Sequence, residues 1–344
     1  MRTCCSVPSK LILSGEHAVL YGCPALSMAI DLETRCTLMD DEASVDLPGF
    51  TVSLKNFDLK QHFSFAEWQH QAEKIDQRFE DFRSGTAPIN AVLTSPFDLI
   101  LITLSNLCQI RPFCPANWQI EIESNAPIGR GLGSSAAVIV SLIKTMLTQL
   151  HWQMDDKELL ELAKRIEAYQ HGHSSGIDPA TLLHGGLLKY QLHQKPQPLA
   201  NRPFNAWLID TGKPQSTTGE CVTWVKQHHQ NDKNLWQSFS ITTHQIEQAW
   251  SNWDQNILKQ AIDRNHQLLC RIGVVPNRIQ SFIETLRGNL NASCKICGAG
   301  SIAGESAGML LCISENSPAD LCRANGYHFR PLKIQSQGVQ CELA

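Results

Sequence analysis

The chain has 344 residues, enough for two lobes with sizeable cores, and its 42% hydrophobic and 18% charged content is that of an ordinary globular protein. A formal net charge of −4 argues against a nucleic acid or an anionic membrane as the main partner. The apolar run at residues 99–104 is far shorter than the roughly 20 residues that a membrane-spanning helix needs.

The thirteen cysteines are an odd number, extend from Cys4 to Cys341, and include one C-x-x-C unit at Cys294 and Cys297. This pattern is typical of reduced thiols in a cytosolic protein, many of them buried as small apolar side chains. We expect no signal peptide, because residues 6–13 already have the pattern of a strand. The prediction is a soluble, cytoplasmic protein with reduced, non-catalytic cysteines; a zinc or redox site at the C-x-x-C unit is the less favoured alternative.

The first informative segment covers residues 7–32. Its apolar residues 11–13 predict a buried strand, with Lys10 inside it. A lysine in such a strand usually lies at an edge or extends its ammonium to solvent, so the residue alone favours a structural role. Glu16 and His17 follow directly, where the end of a strand meets a cleft.

Two helices and a strand are predicted next. Residues 65–82 have a charged, amphipathic pattern that indicates a helix covering the surface. Residues 89–107 are also helical in pattern, with Pro96 as an interruption. Residues 118–122 alternate like a strand and lead into a glycine-rich loop.

The glycine-rich segment PIGRGLGSSAAVIV, residues 127–140, is the central feature of the chain. Gly129, Gly131 and Gly133 allow positive φ and a close approach of backbone N–H groups to a ligand. Apolar residues then recur at three- and four-residue steps, which predicts a helix up to Leu150. A loop of this kind before a helix N-terminus suits an anion, although its spacing matches neither G-x-G-x-x-G nor G-x-x-x-x-G-K-[ST]. We expect a nucleotide-phosphate loop; the alternative is a tight turn whose serine caps the helix.

A second helix is predicted at residues 155–170, with Glu167 near its end. The turn-rich segment that follows presents Asp178 in front of another apolar helix. A single aspartate in front of a helix is most often an N-cap, and the residue alone favours that interpretation.

The pattern then changes from mixed α/β to mostly helical, which predicts a lobe boundary between residues 185 and 205 and two lobes, 1–190 and 191–344. A second glycine-rich loop, CKICGAGSIAGESAG, follows at residues 294–308. Strands are predicted at residues 206–209, 309–313 and 327–334, and a polar, hydroxyl-rich loop at 210–220.

Four of these segments together resemble the GHMP small-molecule kinases. They are PSKLILSGEHAVLYGCPAL at 8–26, PIGRGLGSSAA at 127–137, EAYQHGHSSGID at 167–178 with the trailing GGLLKY, and KICGAG at 295–300. Their order and spacing cover the chain from residue 7 to about residue 310. The resemblance implies an α+β fold with an N-terminal mixed α/β lobe and a C-terminal lobe of helices packed on an antiparallel sheet.

The resemblance also implies phosphoryl transfer from ATP with Mg²⁺, a catalytic Asp178 beside Lys10, and Mg²⁺ ligands at Ser135 and Glu167. A carboxylate near the acceptor hydroxyl suits this reaction, and a lysine beside it would keep it ionised and stabilise the developing alkoxide. A hydroxyl and a carboxylate suit Mg²⁺, which prefers oxygen ligands. Nucleotide contacts are implied at Pro127, Gly129, Gly131, Leu132, Gly133, Ser134, Ser135 and Ala136. Contacts with the acceptor substrate are implied at Glu16, His17, Gly298 and Ala299.

The chain departs from the family pattern in three places. Ser9 stands where glycine is common in the first motif. Residues 301–305, SIAGE, follow the third motif where further glycines are usual. His173 and Ser174 stand where Asn or Thr followed by Pro is frequent, which predicts a different local turn before Asp178.

The acceptor is predicted from small differences within the family. Ala18 and Val19 are apolar where members acting on galactose carry an acidic residue that binds sugar hydroxyls. Members acting on phosphomevalonate tend to have tyrosine in place of His17, and those acting on homoserine lack the aspartate base. These differences favour the branched acid mevalonate, and the other acceptors stay open as alternatives.

A catalytically silent, ligand-sensing relative is the remaining alternative. It predicts loss of Lys10, Asp178 or the loop serines, and all of these are present. The predicted partner is therefore a small molecule, and a homodimer is compatible with the sequence.

Overall fold

The structure is a computed structural model that describes residues 2–40, 49–115, 117–203 and 205–343. Within these ranges it contains twelve strands and ten α-helices. The strands are β1 (Arg2–Ser14), β2 (Ala25–Asp40), β3 (Phe50–Leu54), β4 (Leu59–Phe63), β5 (Trp118–Ser124), β6 (Leu187–Tyr190), β7 (Gln197–Leu199), β8 (Ala206–Asp210), β9 (Ser293–Ile296), β10 (Met309–Ile313), β11 (His328–Pro331) and β12 (Gln340–Leu343). The helices are α1 (Phe65–Arg83), α2 (Asp98–Ile110), α3 (Ser134–Gln149), α4 (Asp156–His171), α5 (Ile177–His184), α6 (Thr218–His229), α7 (Lys233–Asn252), α8 (Gln255–Arg271), α9 (Asn277–Leu290) and α10 (Ala319–Ala324).

The larger sheet has eight strands in the order β12-β1-β2-β5-β3-β4, with β6 pairing with β2 and β7 with β6. Strands β1 and β2 pair antiparallel along nearly their whole length, with a shift of register between Pro8 and Ser9. Such a bulge changes the face on which the following side chains lie, and it comes directly before Lys10.

Helix α3 is the central helix of this half of the molecule. It packs against β1, β2, α2 and α4, and its buried residues, including Ala137, Ile139, Leu142 and Met146, lie on all sides. A helix that is apolar all round belongs inside a core. The predicted helix after the glycine-rich loop is thus confirmed. None of the helices in the described residues is long and apolar enough to cross a membrane.

The smaller sheet has the order β11-β8-β10-β9 and is antiparallel throughout. Helices α8 and α9 pack on β9, and α7 packs on α8. A core cluster joins the two sheets: Leu11 and Leu13 of β1 pack with Leu208, Trp250 and Leu311. Full burial of one such side chain contributes about 1.5–3 kcal/mol, so this shared core fixes the end of β1 against the smaller sheet.

Two predicted elements differ from the structure. The helix predicted at 89–107 begins only at Asp98, because Pro96 disfavours helical geometry just before it and residues 89–91 form a short 3-10 turn. The last predicted strand, 327–334, is β11, and a further strand, β12, returns to pair with β1. The division into lobes at residue 190 stays a prediction.

The prediction that all cysteines are reduced is wrong for one pair. Cys5 of β1 and Cys341 of β12 lie opposite each other in the sheet, with Cα atoms 4.0 Å apart, and form a disulfide. The other eleven cysteines are free. Burial raises the pKa of Cys297 to about 12, which disfavours the thiolate that zinc binding or redox chemistry needs.

Candidate active site

Lys10 and Asp178 form a close ion pair. The ammonium nitrogen of Lys10 lies 3.0 Å from Oδ1 of Asp178, and the two side chains are 4% and 23% exposed. Lys10 is therefore buried and does not extend to solvent. Asp178 is in the first turn of α5 and does not cap it, since the N-cap position is Gly176. The interpretation of Lys10 as a strand lysine that reaches solvent is therefore wrong, and so is that of Asp178 as an N-cap.

The glycine-rich loop lies against this pair. Gly129, Gly131 and Gly133 all have positive φ, between 70° and 80°. A Cβ on Gly133 would lie 2.9 Å from Cγ of Lys10 and 3.3 Å from Oδ2 of Asp178, so a side chain here would displace the pair. The backbone N–H of Lys10 also donates to the carbonyl oxygen of Leu132 at 3.0 Å, which joins β1 to the loop.

Gly133 is the N-cap residue of α3, and no side chain caps the helix there. The alternative of a serine-capped turn is therefore wrong. Ser134 and Ser135 are the first two helical residues, beside the positive end of the helix dipole. This arrangement suits a polyphosphate.

Two polar side-chain contacts, Ser135 with His171 and Ser174 with Glu167, lie near the pair, since His171 and Glu167 each interact electrostatically with Asp178 and Lys10. The Ser135 hydroxyl lies 3.2 Å from Nε2 of His171. Desolvation lowers the pKa of His171 to about 4, so the imidazole is neutral at physiological pH. Oε2 of Glu167 accepts a hydrogen bond of 2.6 Å from the hydroxyl of Ser174.

Glu167 is buried, and burial together with the negative charge of Asp178 raises its pKa to about 8. Two carboxylates held close together in this way favour a cation near them, which relieves their repulsion. The hydroxyl of Ser135 and the carboxylate of Glu167 are also the oxygen donors that Mg²⁺ prefers. The donor set therefore fits Mg²⁺.

The loop after β1 contacts the third motif. Glu16 forms an ion pair with Lys295 in which both side chains are almost completely buried. Lys295 also donates to the carbonyl oxygens of Ile12 at 3.0 Å and Ile296 at 2.7 Å. Glu16 is thus bound within the protein.

Two further predicted substrate residues, His17 and Ala299, contact each other. Nε2 of His17 lies 3.0 Å from the carbonyl oxygen of Ala299. Burial lowers the pKa of His17 to about 4, so its ring is neutral at physiological pH. The contact holds the first and third motifs together.

The third motif packs backbone to backbone against the glycine-rich loop. A Cβ on Gly131 would lie 2.5 Å from the carbonyl oxygen of Cys297, and one on Gly298 would lie 3.1 Å from Cα of Gly131. Glycine at both positions is therefore needed for this close approach. The atypical residues that follow are held by hydrogen bonds to a neighbouring loop: the Ile302 N–H donates to the hydroxyl of Ser216.

That neighbouring loop, residues 210–217, supplies a cation beside the glycine-rich loop. Asp210 accepts from Nε of Arg130 at 2.8 Å and from the backbone of Gly212. Lys213 is exposed, and its Cε would lie 3.5 Å from a Cβ on Gly129. Within the described residues no acidic partner contacts the Lys213 ammonium, so it is available to an anion.

The structure places Lys10 and Asp178 against Gly133, and Gly131 against Gly298 of the third motif. Sequence reasoning did not assign functional roles to His171, Ser174, Lys213 and Lys295. Three of these lie in segments that carry the family resemblance: His171 and Ser174 in EAYQHGHSSGID, and Lys295 in KICGAG. The place of Lys213 beside Gly129 depends on the contact of two distant loops.

The ion-paired Asp178, the glycine-rich loop and the N-terminus of α3 together suit an ATP-dependent small-molecule kinase. A model of the GHMP kinases N terminal domain matches residues 98–186. The mevalonate kinase of Archaeoglobus fulgidus is 30% identical over 297 residues, covering 86% of this chain and 88% of the relative. The chain belongs to the GHMP kinase family.

Solved structures are similar over nearly the whole chain. Methanococcus jannaschii mevalonate kinase matches with a TM-score of 0.75 at 20% identity, covering 96% of this chain and 98% of that one. Lactococcus lactis galactokinase complexed with galactose matches with a TM-score of 0.76 at 14% identity, covering 98% and 95%. At these identities the likeness shows the fold alone, and it confirms the predicted α+β fold.

Proposed function

We propose that the protein transfers the γ-phosphoryl group of ATP to the primary hydroxyl of mevalonate. The single observation that carries the chemistry is the Lys10–Asp178 pair, which lies against Gly133 at the start of α3. The choice of mevalonate is supported by the curated relatives of that name, which align over most of the chain.

In this proposal, Asp178 orients the acceptor hydroxyl and accepts its proton. The acceptor oxygen forms a bond to the γ-phosphorus, the bond from that phosphorus to the β–γ bridging oxygen breaks, and ADP leaves. Lys10 attracts the Asp178 carboxylate at 3.0 Å and stabilises the negative charge that develops on the acceptor oxygen.

The nucleotide phosphates are proposed to bind along the glycine-rich loop, from Pro127 to Ala136. The left-handed glycines expose backbone N–H groups there, and Lys213 adds a positive charge at the Gly129 end. Ser135 and Glu167 would hold Mg²⁺, which when bound supplies charge neutralisation for the phosphates.

The acceptor is proposed to bind between the first and third motifs, near Glu16, His17, Gly298 and Ala299. Oε1 of Glu16 is bound to Lys295 and Nε2 of His17 contacts Ala299, so these two atoms shape the pocket through the position of their loop. Ala18 and Val19 are buried in core clusters. Their apolar character therefore acts on the acceptor only through packing.

A cytoplasmic location and a homodimer also belong to this proposal. Disulfides are rare in reducing compartments, so a cytoplasmic location requires the Cys5–Cys341 bond to resist reduction there. Counting free thiols in protein isolated under non-reducing conditions tests whether the disulfide persists in the compartment of the protein. Light scattering of the purified protein tests the homodimer.

The proposed reaction is tested by coupled measurement of ADP release with mevalonate, phosphomevalonate, homoserine and galactose. We expect release with mevalonate only, and only when Mg²⁺ is present. Release with another acceptor and none with mevalonate would contradict the assignment. The Asp178→Asn variant serves as the control for contaminating kinases.

A further inference from the structure

We propose that Ser174 is a positioning residue that fixes the orientation of the Glu167 carboxylate for a divalent cation. The inference rests on the proposed function for the role of that cation. It concerns a residue at which this chain departs from the family pattern, in the turn between α4 and α5.

The hydroxyl of Ser174 both donates and accepts a hydrogen bond. It donates to Oε2 of Glu167 at 2.6 Å and accepts from the backbone N–H of Gly176 at 3.1 Å. A serine hydroxyl has one proton to donate. Because Ser174 acts as the acceptor for Gly176, its own proton is free to form the bond to Glu167. The distance of 2.6 Å is within the normal range for an O–H···O hydrogen bond.

This contact distinguishes the two oxygens of Glu167. Within the described residues, Oε2 is bound by Ser174 and no hydrogen bond to Oε1 is present. Rotation of the carboxylate would break the Ser174 bond inside a buried site, where an unsatisfied polar group is costly. Ser174 thus holds one oxygen and leaves the other for the cation.

The neighbouring Ser175 provides a matched control. Its hydroxyl accepts from the backbone N–H of Ile177 at 3.3 Å, just as Ser174 accepts from Gly176. It makes no hydrogen bond to Glu167. Alanine at either serine therefore removes one local turn contact, but only alanine at 174 releases Glu167.

The test measures binding of Mn²⁺, which suits the same oxygen ligands as Mg²⁺, to the protein at fixed ADP by electron paramagnetic resonance. Partners of metal ligands typically affect affinity roughly tenfold to a hundredfold, so Ser174→Ala should raise the Mn²⁺ dissociation constant by that factor. Ser174→Thr should recover most of the affinity because it keeps a hydroxyl. Ser175→Ala should match the wild type.

Equal losses in Ser174→Ala and Ser175→Ala would overturn the proposal, as would no loss in either. Ser174→Cys, with a weaker donor of similar size, should lie between serine and alanine, and it replaces the alanine variant if that protein does not fold. A turnover measurement adds a second test: the Mg²⁺ concentration for half-maximal rate should rise while KM for the acceptor stays constant. A change confined to the acceptor KM would also overturn it.

The Mn²⁺–ADP measurement contains no acceptor. If the proposed acceptor is wrong, the substrate panel shows it and the Mn²⁺ result still stands. If Ser174 has no positioning role, the result of the substrate panel is unaffected. The Ser174→Ala and Ser175→Ala variants then bind Mn²⁺ equally well. The two failures are therefore distinguishable.

Discussion

The two lysine–carboxylate pairs of the candidate site, Lys10–Asp178 and Lys295–Glu16, differ in their access to water. In the Lys10–Asp178 pair the aspartate is 23% exposed. In the Lys295–Glu16 pair the side chains are 0% and 1% exposed. A carboxylate that reaches solvent can exchange a proton with a bound alcohol, whereas an enclosed one contacts only the protein. We infer that the open pair acts in the reaction and that the enclosed pair positions loops.

The surroundings of the two lysines support this difference. Lys295 is satisfied by two backbone carbonyl oxygens besides Glu16, which suits an ammonium that never leaves its site. Lys10 lies against Gly133, and its pair with Asp178 faces the start of α3. The same type of ion pair thus has different roles, because the surrounding atoms enclose one pair more completely than the other.

The largest expected effect is on turnover at the open pair. Asp178→Asn keeps the shape of the side chain but cannot accept a proton or carry the charge. We expect kcat to fall by about two to four orders of magnitude, the usual range for a positioned base. ATP affinity should stay near that of the wild type, while the melting temperature should fall, because the buried Lys10 ammonium loses its charged partner.

Lys10→Met should also reduce kcat, and the double variant should be little worse than the poorer single variant, because residues that act as a unit are not additive. The measurement is kcat for the two single variants and the double variant. Near-normal kcat in Asp178→Asn would remove Asp178 from the reaction.

The next effect is on stability at the enclosed pair. Lys295→Met leaves the Glu16 carboxylate buried without a cation, and removing one partner of a buried pair costs about 3–5 kcal/mol of unfolding free energy. Lys10→Met should cost less, because Asp178 retains contact with water. Urea unfolding of the two variants measures the difference.

A double variant, Glu16→Met with Lys295→Met, controls for the lost packing. It should be more stable than Lys295→Met alone, since no charge remains unpaired in the interior. If Lys10→Met destabilises the protein as much as Lys295→Met does, the distinction between open and enclosed pairs fails.

The sequence predicted the local parts of this arrangement well. The glycine-rich loop and α3 follow from residue spacing, because positive φ and helical periodicity are local properties. The roles of Lys10 and Asp178 came from the family resemblance, since each residue by itself favoured a structural interpretation. Residue types alone did not show that these two would meet.

The contacts that the sequence did not predict depend on how distant segments of the chain meet. Glu16 and Lys295 are separated by 279 residues, and neither has a local pattern that indicates the other. Strand β12 is short and largely exposed, so only its pairing with β1 defines it. The Ser174–Glu167 bond depends on how the turn folds back on α4, which spacing does not determine.

The third prediction concerns the disulfide at the start of β1, away from both pairs. Cys341→Ser removes the link between β1 and β12, and loss of a disulfide typically costs about 2–4 kcal/mol of unfolding free energy. We expect kcat in the folded protein to be unchanged. Urea unfolding with and without reductant measures the effect: reductant should destabilise the wild type and leave Cys341→Ser unaffected. Equal behaviour of the two proteins would show that the bond contributes nothing.

The smallest expected effect is on the pH dependence of stability at His17, beside the enclosed pair. Burial lowers the pKa of His17 from 6.5 to about 4, so the folded state disfavours the protonated ring. Between these pKa values the unfolded chain binds more protons at this residue, and stability is therefore lost as the pH falls through this window. From pH 7 to pH 5 the contribution is about 2 kcal/mol.

His17→Gln should abolish that part of the pH dependence, because glutamine does not titrate and its amide can still donate to the carbonyl oxygen of Ala299. His70→Gln, at an exposed position of α1, is the matched control and should keep the wild-type slope. The measurement is the urea midpoint of the three proteins at pH 7 and pH 5. If His17→Gln loses as much stability as the wild type between these values, the ring of His17 is not enclosed as described, and the region of the Lys295–Glu16 pair admits water.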